Sequence, residues 1–275
     1  MINMFKKLNI YIPFATNEIK RQLAYKGAFY LFIFISLFSA FISYYLWMAI
    51  YGGAEGNTIA GISRNEMIVY IFMTYVTACF VNNSMSDWIS EDIVKGTVAM
   101  NLIKPIDYRW SLISKTVGHA TCKFLVPGIF IWLGIEIYKV QYLNMGVTSI
   151  SNILLYILSM LMSFMIFVLF EFCFGMIAFF TTYIFGLSMA KYALVVFLTG
   201  QLIPLSFFPD IIQRIFDFLP FSSMIYAPVM IYLGKFSGSE LTFVLCRQAA
   251  WIFILYILGS IIWRKVTKRL VVLGG

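Results

Sequence analysis

What this chain can fold into is limited first by its apolar runs, at about 28–51, 67–83, 116–138, 152–182, 187–204 and 240–263. Most hold the roughly 20 residues that an α-helix needs to cross a bilayer. With 61% hydrophobic and only 12% charged residues, there is too little polar surface to cover a soluble globule. The expected fold is an all-α integral membrane protein, one transmembrane domain over residues 1–275 with six transmembrane helices. The fourth run exceeds a bilayer's thickness, so it is expected to tilt or project beyond it. Its boundary with the fifth, around Tyr183–Lys191, is the least defined.

Lys and Arg set the orientation. With the N-terminus cytoplasmic, the inner segments hold Lys6, Lys7, Lys20, Arg21, Lys26, Lys95, Lys104, Arg109, Lys115, Lys191, Arg264, Lys265, Lys268 and Arg269, and the outer ones only Arg64, Lys139, Arg214 and Lys235. By the positive-inside rule both termini and residues 84–115 of this multi-pass membrane protein lie in the cytoplasm. The net charge of +8 is then explained by topology and anionic lipid. No basic platform with interleaved aromatic residues suggests nucleic acid. Residues 1–26 repeat Phe5, Leu8, Ile12, Ile19 and Leu23 at helical spacing among basic residues, which reads as an interfacial helix broken at Pro13. A cleaved signal peptide is not expected, because the leader is long and polar and the next apolar run is of span length.

Residues 84–115 form the one long polar stretch between two membrane-length runs. Ser84 and Asp87 make an S-x-x-D helix start, Glu91 precedes Lys95 by four residues, and Gly96 supplies a stop. A second apolar turn, Thr97–Ile103, ends before Pro105, and Tyr108–Trp110 leads into the next run. A helix as short as 85–95 does not hold itself in water and must dock. The series Glu91-Asp92-Ile93-Val94-Lys95-Gly96-Thr97, with Pro105 nine residues after the glycine, resembles the first cytoplasmic loop of ABC type-2 exporter permeases. A second block carries the same resemblance: Gly200 to Leu205, Phe208-Pro209, Leu219-Pro220-Phe221, Pro228, Gly234 and Gly274-Gly275.

The resemblance implies that the loop is a coupling helix seated in a groove of an ABC ATPase subunit, which binds ATP and Mg. Trp88, Ile89 and Ile93 would anchor it, Asp87, Glu91, Asp92 and Lys95 would make polar contacts, and Gly96 and Thr97 would complete the motif. It also implies a second permease, identical or related, and surrounding membrane lipids. Between the last two runs, Asp210–Leu219 is amphipathic and Phe221–Leu233 is apolar but too short to span. Residues 205–239 therefore read as an outer re-entrant segment. In the family this segment closes the exit, which makes Pro204, Pro209, Pro220 and Phe221 the expected outer gate.

Nothing in the chain suggests catalysis. There is no Walker A glycine loop, His119 is the only histidine, and Cys79, Cys122, Cys173 and Cys246 sit singly inside apolar runs with no metal-binding spacing. An ionisable group at membrane depth is a functional candidate that needs a partner. For Glu171 that partner is expected to be Lys123, on depth and on the adjacency of successive spans; the alternative is a Lys123 that snorkels to the headgroups. Trp47, Trp132 and Trp263 are expected in interfacial belts. The functional expectation is the permease subunit of an exporter for amphipathic or hydrophobic cargo. A non-transporting receptor or immunity component of the same fold, and an intramembrane lipid-modifying enzyme, remain alternatives.

Overall fold

The computed structural model describes residues 2–53, 57–181 and 184–273, with side chains from Asn9 to Lys268. Among these residues the chain forms twelve α-helices and one two-stranded hairpin. Five helical segments are long and apolar enough to cross a membrane: Lys26–Gly52, Arg64–Val94, Tyr108–Tyr142, Ile150–Phe179 and Gly238–Lys268.

Helix α1 (Ile2–Ala24) runs through Pro13 without the expected break. The carbonyl that Pro13 deprives of a partner belongs to Asn9, itself exposed, so the lost helical bond is cheaply made up. The apolar residues Ile12 and Leu23 face outward, and the side that docks on the bundle carries Tyr11, Ala15, Glu18 and Gln22. Helix α2 (Lys26–Gly52) is the most exposed span. A short hairpin, β1 (Thr58–Ile59) and β2 (Ile62–Ser63), leads into α3 (Arg64–Val81). There Ser63 and Glu66 form a reciprocal capping box, which satisfies two orphan donors of the helix start.

α3 is the most deeply buried span. Around it pack α2, α7 (Ile129–Tyr142), α8 (Ile150–Gly175) and the short α11 (Tyr226–Tyr232). The third span begins earlier than its apolar run suggests: α6 (Tyr108–Lys123) joins α7 through a π-helical turn at Phe124–Gly128. Pro127 lies in that turn and lacks the N–H that a regular helix would use there.

The fifth run is shorter than expected. Helix α9 (Phe185–Leu198) has 14 residues, about 21 Å at 1.5 Å per residue, against roughly 30 Å of hydrocarbon. The chain then leaves helical geometry at Gly200, whose φ is +77°, and the Tyr70 hydroxyl of α3 donates to the Gly200 carbonyl. Helix α10 (Asp210–Phe218) and the segment ending in α11 meet at 79°. α10 keeps Ile211, Ile215 and Phe218 exposed, whereas every residue of α11 is buried. Helix α12 (Gly238–Leu273) returns along α8.

Two apolar clusters hold the bundle. The larger centres on α3 and includes Trp47, Tyr156, Met224 and Tyr232. The smaller, at the end that carries the 84–115 loop, includes Met85, Ile89, Tyr108, Phe164, Phe172 and Val266. The tryptophans pack against the bundle: Trp47 is 6% exposed, Trp132 packs edge-on to Tyr156 at 5.4 Å, and Trp263 stacks on Tyr108 at 5.8 Å.

Candidate functional site

The loop between α3 and α6 is built from two short helices, α4 (Met85–Val94) and α5 (Thr97–Leu102), joined at Gly96. Gly96 has φ +69°, a left-handed conformation that costs a residue with a Cβ about 1 kcal/mol or more. The start of α4 differs from expectation, since the Ser84 side chain makes no cap. Instead Asn83 Oδ1 accepts from the Met85 N–H at 3.1 Å, an Asx capping bond one residue earlier.

Asp92 turns inward and locks the loop. Its Oδ1 accepts from the Thr97 hydroxyl at 2.7 Å. Its Oδ2 accepts from the Tyr108 hydroxyl at 2.8 Å and from Asn101 Nδ2 at 3.3 Å. One carboxylate thus ties α4, α5 and the start of α6, which explains the acidic residue and the threonine on either side of the left-handed glycine. At the next corner Asp107 caps α6, accepting from the Arg109 N–H at 2.9 Å and pairing with its guanidinium at 3.0 Å. Burial pushes the Asp107 carboxyl up, but the Arg109 bonds outweigh it and hold it below the usual carboxylate range.

The apolar residues expected to reach a partner are turned the other way. Ile89 is fully buried, and Trp88 and Ile93 are partly buried against the same cluster. A Cβ on Gly175 of α8 would stand 2.7 Å from Ile89 Cδ1 and 3.0 Å from Ser86 Cα, so the glycine is what lets α4 lie against α8. A short helix lined on one side by Met85, Ile89 and Ile93 is stabilised by burying that side in its own chain, and this accounts for the difference. Exposed on the outer side are Asp87, Glu91, Val94, Lys95, Met100 and Ile103, the last 84% exposed. Glu91 and Lys95 pair with each other there; between exposed side chains such a pair adds little stability.

The first turn of α4 also reaches a buried ion pair. Glu171 of α8, 1% exposed, pairs with Lys191 of α9 at 2.5 Å. The Ser86 N–H and hydroxyl donate to the other Glu171 oxygen at 3.1 and 2.6 Å. Lys191 also donates to Ser86 Oγ at 2.7 Å, and one turn earlier Ser188 donates to Asp87 Oδ1 at 2.8 Å.

The expected Lys123–Glu171 pair does not form. Lys123 Nζ sits 4.3 Å from the Phe32 ring centroid of α2 and has no ion pair among the described residues. Glu171 precedes the end of its segment at Phe179 by eight residues and Lys191 follows the start of α9 at Phe185 by six, so the two lie at similar distances from the break between the helices, where they can pair. Ser86, Ser188 and Lys191 were therefore missed as site residues. The signal that pointed to Lys191 is that it is the one basic residue of its apolar run.

Helix α1 clamps the same end. The Asp107 N–H donates to the Tyr11 hydroxyl at 3.0 Å. Glu18 pairs with Arg21 at 2.6 Å, and His119 Nδ1 lies 2.8 Å from Gln22 Nε2 and 3.4 Å from Glu18. Burial raises the Glu18 pKa, but the bonds from His119 and Arg21 reverse this and hold it at about 2. Trp88 joins the two layers, with its ring edge-on to His119 at 5.5 Å and Lys115 Nζ 4.0 Å from its centroid.

At the opposite end, Pro204 and Pro220 are buried, Pro209 starts α10 on the surface, and Phe221 packs edge-on to Phe170 at 5.4 Å. Two polar knots fix this end. Gln248 of α12 donates to Ser163 Oγ at 3.0 Å and to the Ser223 carbonyl at 2.9 Å, and accepts from Ser159 at 3.0 Å. Glu136 pairs with Lys139 at 3.1 Å and accepts from Thr148 at 2.5 Å and from Tyr232. Gly274 and Gly275, part of the sequence resemblance, lie outside the described residues.

A bundle of membrane-length helices with a locked polar loop at one end and a sharply bent helix pair at the other defines a multi-pass membrane protein. The chain belongs to the ABC-2 transporter family: the family described as ABC-2 family transporter protein matches residues 23–274. It is accordingly a transmembrane permease subunit of an ABC transporter, a component that is not itself catalytic. No curated protein matches it.

Proposed function

We propose that this chain is one permease of an ATP-driven exporter in the plasma membrane, moving an amphipathic or hydrophobic cargo, drug-like, peptide or lipid-like, out of the cell. The observation that carries this reading is the attachment of α4 to the buried Glu171–Lys191 pair through Ser86. The 84–115 loop and both termini face the cytoplasm, as the distribution of Lys and Arg supports. A separate ATPase subunit, which binds ATP and Mg, seats on the exposed ridge of Glu91, Val94, Lys95, Met100 and Ile103. A second permease, identical or related, completes the transporter and covers the exposed apolar face of α9, Leu187, Met189 and Leu194 among it.

Motion of the ATPase acts on α4 and α5 as one body, because Asp92 ties them. It passes to α9 through Ser86 and Asp87. Displacing α4 alone would leave Glu171 without two of its donors, and burying a charge without its partners costs several kcal/mol. Moving α4, α8 and α9 together avoids that cost. The far end of α9 leads into Gly200 and then to Pro204, Pro209, Pro220 and Phe221, which serve as the outer gate.

Copurification from native membrane in mild detergent, with mass spectrometry of the partners, tests the reading. Wild type should bring down an ATPase subunit and a second permease, and Glu91→Arg and Gly96→Pro should lose the ATPase. A wild-type chain that recovers no ATPase would remove the support for an exporter.

A further inference from the structure

Between α6, α8 and α12 a groove of about 320 Å³ opens on the side of the bundle. Trp110 and Ile113 form one wall, Val168 and Phe172 the back, and Phe253 and Tyr256 the other wall. Its volume lies at the bottom of the roughly 300–1,000 Å³ range of small-molecule sites, which suits a slender chain better than a bulky ring system. The mouth is flanked by Trp110, Phe253 and Tyr256, all more than half exposed. In a membrane protein, what meets such a mouth is the hydrocarbon of a lipid.

The groove has one charged end. Arg109 lines it, and its guanidinium is engaged by Asp107 through Nε and one terminal nitrogen, leaving the other without a hydrogen bond among the described residues. That pair is neutral. The unbalanced charge comes from α12, where Arg264 lies four residues, one turn, beyond the groove-lining Ser260. Neither Arg264 nor the neighbouring Lys265 and Lys268 has an ion-pair partner among the described residues. The Tyr108–Trp263 stack at 5.8 Å closes α6 onto α12 at this level, so Arg264 stands at the rim. An apolar slot ending in an uncompensated arginine is complementary to an acyl chain that ends in a negative headgroup.

We propose that this groove binds an anionic phospholipid, with one acyl chain between α6 and α12 and its phosphate held by Arg264 beside Arg109. The site is separate from the α4–α5 ridge and needs neither ATPase nor transport. The purified chain, exchanged into nanodiscs of equal phosphatidylglycerol and phosphatidylcholine and then released for native mass spectrometry, should retain one phosphatidylglycerol in roughly fivefold preference. Arg264→Gln should bring the ratio close to one, and Ser260→Trp, which fills the groove, should lower retention of both lipids. Arg264→Gln changes an exposed side chain, so it keeps the test valid where the tryptophan variant fails to fold. Equal retention by wild type, a preference that survives Arg264→Gln, or an adduct whose mass is not that of a phospholipid would each overturn the proposal.

Discussion

Glu171 has three donors, two from Ser86 and one from Lys191, and its stability therefore depends on which of them is removed. Lys191→Met leaves a buried carboxylate without its counter-charge and should cost about 3–5 kcal/mol. Combining it with Glu171→Gln removes the charge that was stranded, so the double variant should lose less than the sum of the singles. Lys123→Met removes only a ring contact with Phe32, worth about 0.5–2 kcal/mol. Unfolding of the four variants in detergent ranks these costs, and equal losses for Lys191→Met and Lys123→Met would contradict the pairing. Glu18 makes a pH-dependent contribution. Its pKa of about 2, below the ordinary value of 4.5, means that its bonds to Arg21 and His119 stabilise the docked α1 fully above pH 4.5. That stability is lost as pH falls from 4.5 through 2. Hydrogen exchange over residues 9–24, corrected for intrinsic rate, should therefore rise between pH 5 and pH 3 in wild type and lose that pH dependence, at a higher rate throughout, in Glu18→Ala.

Between elements, close approach is set by glycines whose role depends on what they meet. A Cβ on Gly118 of α6 would stand 2.2 Å from the Ala15 carbonyl oxygen of α1, and backbone cannot rotate aside as a side chain does. Gly118→Ala should lift α1, cost about 1–3 kcal/mol as overpacking does, and expose the α1 amides to exchange; unchanged protection would refute the close crossing. Gly96 was legible in sequence because a charged turn before it and Thr97 after it mark the end of one short helix and the start of another. Gly118 and Gly175 sit inside apolar runs, where nothing local says which helix passes over them. The same limit explains the spans. Five long runs were readable by length, whereas the 14 residues of α9 were merged with the non-helical stretch after Leu198 because both are apolar. The inward turn of Asp92 was hidden likewise, since its partner Tyr108 is sixteen residues away on another helix.

For the whole molecule, the question is which side of the 84–115 loop belongs to the permease and which to its ATPase. The resemblance makes Ile89 an expected anchor and leaves Ile103 aside, but the fold exposes the second and not the first: Ile89 is 0% exposed and Ile103 is 84% exposed. Two substitutions should therefore dissociate stability from assembly. Ile89→Ala empties a packed site between α4 and α8 and should cost about 2–5 kcal/mol of stability. The folded fraction should still recover its ATPase, because the outer ridge is untouched. Ile103→Asp alters a side chain in contact with solvent, and surface changes of this kind lie within about ±0.5 kcal/mol. If Ile103 is an apolar anchor desolvated by the partner, the same change should cost at least about 2 kcal/mol of binding, about a thirtyfold weaker complex. Unfolding curves and quantitative copurification on the same two proteins read both effects. An Ile103→Asp chain that holds the ATPase as tightly as wild type would move the docking surface off this ridge, whereas loss of the ATPase by folded Ile89→Ala would mean that α4 turns over when the complex forms.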